Sequence, residues 1–367
     1  MTFWLCEPVP IAKAGEDRRT EIERLADEAS PAIARAVRQA LETQIAAIDL
    51  DALEAALRRG DQGEVMRIVG AIPPAAAGAI TAALEDAVWT AGAATARAPA
   101  LTEAQFVFQR LNPGLVSWLQ NYSLNLIREI DKGTVESVRG ALLDGMRAGA
   151  NPIETARSIR ESVGLTERQS NAVRAYRRQL EQIHTGKGVK AMGLGLEIDR
   201  VNGRQVFKPD EDGAPKDGIR SRRLRDFRYD PTLQRAVATG KALTKAQIDK
   251  MVDAYRRKYL RHRSEVIART ESIRANNAGA AEAWRQAVAS GQVDGALVRK
   301  RWIVGADERA CRVCLEIPRM NPKQGIPIDA LFATPIGPLA APVAHPNCRC
   351  SLSYRIFEPS QLQENTP

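Results

Sequence analysis

Along most of the chain, apolar residues recur every three or four positions, the spacing that gathers them on one face of a helix. From Asp17 to about Arg97 this pattern is punctuated by Gly60 and the Pro73-Pro74 pair, so the region reads as helices with short breaks. Helix starts are marked explicitly further on. Leu101-Thr102-Glu103-Ala104-Gln105, Leu165-Thr166-Glu167-Arg168-Gln169 and Leu243-Thr244-Lys245-Ala246-Gln247 share one grammar: Thr caps the third amide and Gln reaches back to the cap amide. Leu101 with Phe106 and Leu243 with Ile248 add hydrophobic staples. Asn112-Pro113 and Asn151-Pro152 predict two more starts, with Asn as cap and Pro in the first helical position.

Two stretches break the helical period. Leu196 to Val201 and Arg204 to Lys208 flank Asn202-Gly203, a strong tight-hairpin signal. An acidic, Gly/Pro-rich run (Pro209 to Gly218) and a basic run (Arg220 to Arg228) follow. Helical spacing resumes from Thr244 to about Ser290, where Ile248, Val252, Tyr255, Tyr259, His262, Val266, Ile273, Asn277, Ala280, Trp284 and Val288 mostly share a stripe. One helix of about 70 Å, or two broken near Asn276-Asn277, satisfy it equally, and Gly291 is a natural stop. Beyond Gly295 the period becomes two: Val298 to Val304 and Cys350 to Ile356 read as strands, the second with Cys348, Cys350, Leu352, Tyr354 and Ile356 on one face. The fold class is therefore α+β, mainly α: a helical body, an inserted β-hairpin and a small C-terminal β element. The expected organisation is an N-terminal helical region (1–100), a helical body (101–185), the hairpin and basic loop (186–243), a long helix with a Cys/His-rich end (244–357) and a polar tail (358–367).

Composition adds two constraints. With 367 residues and 44% hydrophobic content the chain can bury real cores. It has neither an apolar core of signal-peptide length at its start nor a run of about 20 apolar residues, so a protein made in a reducing cytoplasm, without a membrane role, is expected. The net charge is +9, but Lys216 to Arg263 alone holds 15 Lys/Arg against 5 Asp/Glu. Arg220, Arg222, Arg223, Arg225 and Arg228 are its candidate phosphate contacts, non-specific in kind; a solvated helix face is the alternative.

The chemistry is concentrated late. Cys6 stands apart, while Cys311, Cys314, Cys348 and Cys350 fall in the last 60 residues. Cys311-Arg-Val-Cys314 has the spacing of a zinc knuckle. His345-Pro-Asn-Cys348-Arg-Cys350 supplies three further candidates, so five donors compete for four places around a structural zinc. Cys311 and Cys314 are the firmest, with two of His345, Cys348 and Cys350 completing the set and the remaining one a hydrogen-bond partner. Reduced core thiols, or disulfides formed outside the cell, are the alternatives. Catalytic zinc fits poorly: Ala310 stands where a zinc deaminase has Pro before its C-x-x-C, and neither H-x-E nor H-E-x-x-H occurs. With three histidines, no phosphate loop and no G-x-S-x-G, other enzyme classes find no support, and a non-enzymatic role is expected. Arg269-Thr270-Glu271 with Asn276-Asn277 reads as a buried hydrogen-bonded network or helix salt bridging in preference to a functional polar site.

Taken in order, Ile267-Ala-Arg-Thr-Glu271, Asn277-Ala-Gly279, Trp284, Trp302, Asp307-Glu-Arg309-Ala-Cys311-Arg-Val-Cys314 and His345-Pro-Asn-Cys-Arg-Cys350 resemble the C-terminal core of the Mu F-like head-morphogenesis family of tailed phages. The H-P-N-C-R-C element is the most specific part. Leu224-Arg-Asp-Phe-Arg228 and the helices from Asn112 to Gln179 are similar more loosely, and the first 100 residues only in being helical. The resemblance implies a minor head protein of the virion that acts in assembly with the portal protein. Major capsid or scaffolding protein and packaged DNA are further implied partners, and the head interior or portal vertex the location. Two other classes stay open: a nucleic-acid-binding protein acting outside the particle, and a zinc-dependent hydrolase or toxin.

Overall fold

The computed structural model describes residues 20–186, 197–199, 204–206, 226–305 and 310–363. It is mainly helical with two small antiparallel sheets, as the periodicity predicts. In chain order the elements are α1 (Glu21–Ala46), α2 (Leu50–Arg59), α3 (Gln62–Val69), α4 (Pro74–Thr95), α5 (Pro99–Glu103), α6 (Pro113–Arg147), α7 (Pro152–Ser162) and α8 (Glu167–Gln182). The short strands β1 (Glu197–Asp199) and β2 (Arg204–Val206) follow, then α9 (Asp230–Thr239), α10 (Lys245–Ala289), β3 (Val298–Ile303), α11 (Arg312–Met320), β4 (Ile326–Pro327), β5 (Ser351–Ile356) and α12 (Pro359–Gln363). No single helix among the described residues is long and apolar enough to cross a membrane.

Most of the expected helix starts are present. Thr166 and Gln169 form a complete capping box at α8, and Thr244 with Gln247 makes the same reciprocal pair at α10. Asn112 Oδ1 accepts the Gly114 amide at 2.9 Å before α6, and Asn151 Oδ1 accepts that of Glu154 at 2.9 Å before α7. The third Thr/Gln copy behaves differently. Thr102 lies inside α5, which Pro99 starts three residues earlier, and Gln105 sits beyond its end with φ 54°. There the local grammar loses to Pro99 at the first turn and to burial of Leu101 and Phe106 in one core cluster. The stretch from 245 to 289 is one continuous helix, closed by Gly291 at φ 73°. The hairpin pairs as expected, Glu197 opposite Val206 and Asp199 opposite Arg204; Asn202-Gly203 lies outside the described residues.

The chain divides into two compact units, each assembled from separated stretches. One comprises residues 41–71 and 129–262. Its core includes Leu53, Val65, Ile159, Leu180 and Val252, with the Tyr176 and Tyr255 rings 4.5 Å apart. Beside them Arg177 bridges Glu161 at 2.5 Å and Asp249 at 2.7 Å.

The other unit comprises residues 1–40, 72–128 and 263–367 and contains the Cys/His region. Here α4 buries Ile80, Leu84 and Val88 and approaches α10 so closely that a Cβ on Gly279 would overlap the Val88 carbonyl oxygen. The sheet runs β4-β3-β5, all neighbours antiparallel. On β3, Val298, Lys300 and Trp302 are buried while Arg299, Arg301 and Ile303 are less so, the period-two alternation of a half-covered sheet. Lys300 is the anomaly on the buried face. Its Nζ donates to the Ala340 carbonyl at 2.9 Å and stands 5.3 Å from the Phe332 ring centre. Burial, then the nearby Arg285 charge, push its amine down to about 8.

Candidate metal centre

The site is built on two short backbone motifs that α10 holds in place. Cys311 is the N-cap of α11, and its Sγ accepts the Cys314 amide at 3.5 Å. The cap geometry and the first helical turn bring the two sulfurs to one side. The second motif turns at Asn347, which has φ 61°, while the Cys348 amide donates to the His345 carbonyl at 3.1 Å. Asn is among the few side chains that tolerate this left-handed conformation.

Two residues of α10 fix that turn. Thr270 Oγ1 accepts the Asn347 amide at 3.0 Å, and Asn277 Oδ1 accepts the Leu352 amide at 2.8 Å. Asn277 Nδ2 is also engaged, donating to the Ile273 carbonyl at 3.0 Å. A second polar group lies on the same helix: the Tyr122 hydroxyl donates to the Glu271 carboxylate, and Arg274 Nη1 donates to Tyr122 Oη at 2.6 Å. Burial raises the Glu271 carboxyl above its ordinary value against the opposing pull of Arg274. The Thr270 to Asn277 segment is thus the hydrogen-bonded network expected from sequence, and part of it anchors the knuckle.

The donor atoms converge. His345 Nε2 lies 3.2 Å from the Sγ atoms of both Cys311 and Cys314, and Cys314 and Cys348 Sγ are 3.7 Å apart. A tetrahedron of zinc–sulfur bonds of about 2.3 Å has sulfur–sulfur edges of about 3.8 Å, so these separations suit a shared ion. Cys311, Cys314 and His345 form one group with all donors within 4.8 Å of one another; Cys314, Cys348 and Cys350 form a second. Cys314 belongs to both. Closing four donors around one ion requires His345 and the Cys348-Cys350 pair to move nearer. His345 Nδ1 is 2.8 Å from the Pro346 carbonyl oxygen. A carbonyl only accepts, so Nδ1 carries the proton and Nε2 presents its lone pair to the thiols.

Cys311, Cys314, Cys348 and Cys350 are each at most 3% exposed, and the cavity between the donors measures about 10 Å³. That is at the lower bound for a single water. The thiols share protons: Cys348, accepting from Cys314 and Cys350, is held low, and Cys314, donating to them, is pushed up. Cys311 is disulfide-bonded, whereas Cys314, Cys348 and Cys350 are free. A disulfide sulfur has no thiolate to offer, so Cys311 can serve a metal only when reduced. Cys314, His345, Cys348 and Cys350 supply four donors without it. The residues therefore fit a metal ion by donor chemistry, and their spacing places them in two groups of three that share Cys314.

The basic cluster is less visible. Arg220, Arg222, Arg223 and Arg225 lie outside the described residues, as do Asp307 to Arg309. Arg228 is exposed, but its Nη2 is held by Asp226 Oδ2 at 2.6 Å. Sequence reasoning missed the box at the start of α1, where Thr20 and Glu23 cap each other and Thr20 Oγ1 lies 2.9 Å from Ser351 Oγ on β5. The Thr-x-x-Glu spacing ahead of an apolar run was the available signal.

A helical protein with a small three-stranded sheet and a Cys/His knuckle pinned to a long helix is the class these features define. Residues 230–353, about a third of the chain, match the family described as Phage Mu protein F like protein. The match includes α9, all of α10 and every candidate metal ligand. No curated protein and no solved structure matches the chain.

Proposed function

We propose that this is a minor head protein of a tailed phage, a structural and assembly component that associates with the portal protein and is carried in the virion. The observation that carries the reading is the family match over residues 230–353, the segment in which the knuckle is fixed to α10 through Thr270 and Asn277. In this reading the Cys/His centre holds a structural zinc. Three cysteines and one histidine complete a tetrahedral shell and leave no position for water or substrate, and the small cavity supports a closed site. The protein is accordingly read as an assembly component and not an enzyme. Zinc staples a sheet of only three strands, too small to stabilise itself by apolar burial alone.

Contact with packaged DNA, and with capsid or scaffolding protein, belongs to the same proposal. The DNA contact rests on the charge excess between Lys216 and Arg263. Affinity falling steeply with salt is its signature; affinity flat with ionic strength removes it. The whole reading is tested by quantitative mass spectrometry of purified procapsids and heads, normalised to the portal protein. A small, fixed number of copies per portal ring is expected. Absence from both particles overturns the reading and promotes a nucleic-acid-binding protein acting outside the virion.

A further inference from the structure

Trp302 is buried in the same cluster as Cys311, Cys314, Cys348 and Cys350, yet its Nε1 has no hydrogen-bond partner. An indole N–H can only donate, and a buried donor left unpaired is unfavourable enough to require an explanation. The sheet register supplies one. Trp302 stands directly opposite Leu352, and Cys350, two residues before Leu352, continues the same buried face. The Phe332 ring packs edge-on against the indole at 5.4 Å between centroids.

The sulfurs also show a pattern of amide donors. Cys311 Sγ accepts the Cys314 amide, and the amides of Cys350 and Ala344 act on Cys348. Once a divalent ion displaces the thiol protons, three thiolates and one neutral imidazole leave one net negative charge in a buried place. Hydrogen bonds to ligand sulfur spread that charge and set the direction of the lone pairs.

We propose that the Trp302 indole N–H donates to the Cys350 thiolate of the metal-loaded site, making Trp302 a positioning residue for that ligand. The inference rests on the metal reading of the site above, and the test separates the two. The full chain is loaded with an NMR-active cadmium isotope. Cadmium–thiolate charge-transfer absorption reports binding, and proton–cadmium correlation reports scalar coupling through an N–H···S bond. The Trp302→Phe variant assigns the indole signal. Coupling between the Trp302 indole proton and cadmium is expected, together with cadmium affinity weakened about 10–100-fold in Trp302→Phe. Phe332→Leu, which loosens the same core but keeps the donor, should retain the coupling. Charge-transfer absorption without indole coupling overturns the Trp302 assignment and leaves the metal site standing. No absorption at all removes the metal site, and this inference with it. The wild-type spectrum decides the matter even where Trp302→Phe does not fold.

Discussion

Asn277 Oδ1 accepts the Leu352 amide at 2.8 Å, tying the C-terminal half of a 45-residue helix to the start of the strand that follows the last cysteine. Two helical turns earlier, Thr270 holds the Asn347 amide. The two contacts bracket Cys348 and Cys350, so one helix face sets the spacing of the knuckle. Replacing Asn277 by Ala leaves a buried strand amide without an acceptor, at a cost of about 1–3 kcal/mol. Denaturant unfolding should show this as a lower midpoint with an unchanged slope. An unshifted midpoint would show that the contact does not hold the strand.

Gly279→Ala should reverse an ordinary rule. Within an exposed helix the change stabilises by up to about 1 kcal/mol. Here the new methyl would meet the Val88 carbonyl oxygen, backbone that cannot rotate away, so a loss of about 1–3 kcal/mol is expected. Thermal unfolding gives the sign directly; a stabilised variant would mean that α4 and α10 do not approach as described.

Lys300 gives a pH test. Its amine is lowered from 10.5 to about 8 in the folded protein. Between those values the unfolded chain still holds the proton that the native state has released, so stability rises with pH across that window. The slope is at most about 1.4 kcal/mol per pH unit, and it flattens below pH 8, where both states are protonated. Lys300→Met removes the group, so the wild-type minus variant difference isolates its contribution. A difference independent of pH from 7 to 10 would contradict the buried, neutral-leaning amine.

Cys314 and Cys311 should differ as metal ligands. Cys314 lies in both donor groups, whereas Cys311 is disulfide-bonded and replaceable by the remaining four donors. Cys314→Ser should lose bound metal and melt at a lower temperature. Cys311→Ser should keep one equivalent, with affinity reduced by no more than about 100-fold, as for an outer-sphere group. Equal loss in both would make Cys311 an obligatory ligand and break the Cys314/His345/Cys348/Cys350 set.

Much of this arrangement is legible in the sequence because it is local. The capping residues at Thr166, Thr244, Asn112 and Asn151 act within one turn of themselves, and the Cys and His spacings set which donors share a loop. The long helix required the structure: Asn276 and Asn277 look like a break in the stripe, yet their amides bond to carbonyls four residues back on the helix, and Asn277 spends its oxygen on β5. The Thr102 start failed where a proline three residues earlier outranked it. Trp302 and Lys300 were out of reach for a different reason. Period two places both on the buried face, but only the pairing of β3 with β5 shows what each side chain meets there. The composition of the units was equally non-local, since both are assembled from segments distant in sequence.

The most direct test of the metal-stapled knuckle is metal analysis of the purified full chain, combined with X-ray absorption at the zinc edge. The account predicts one zinc per chain in a four-coordinate shell of three sulfurs and one nitrogen, with chelation lowering the melting temperature. A metal-free protein that melts at the same temperature with and without chelator would contradict it.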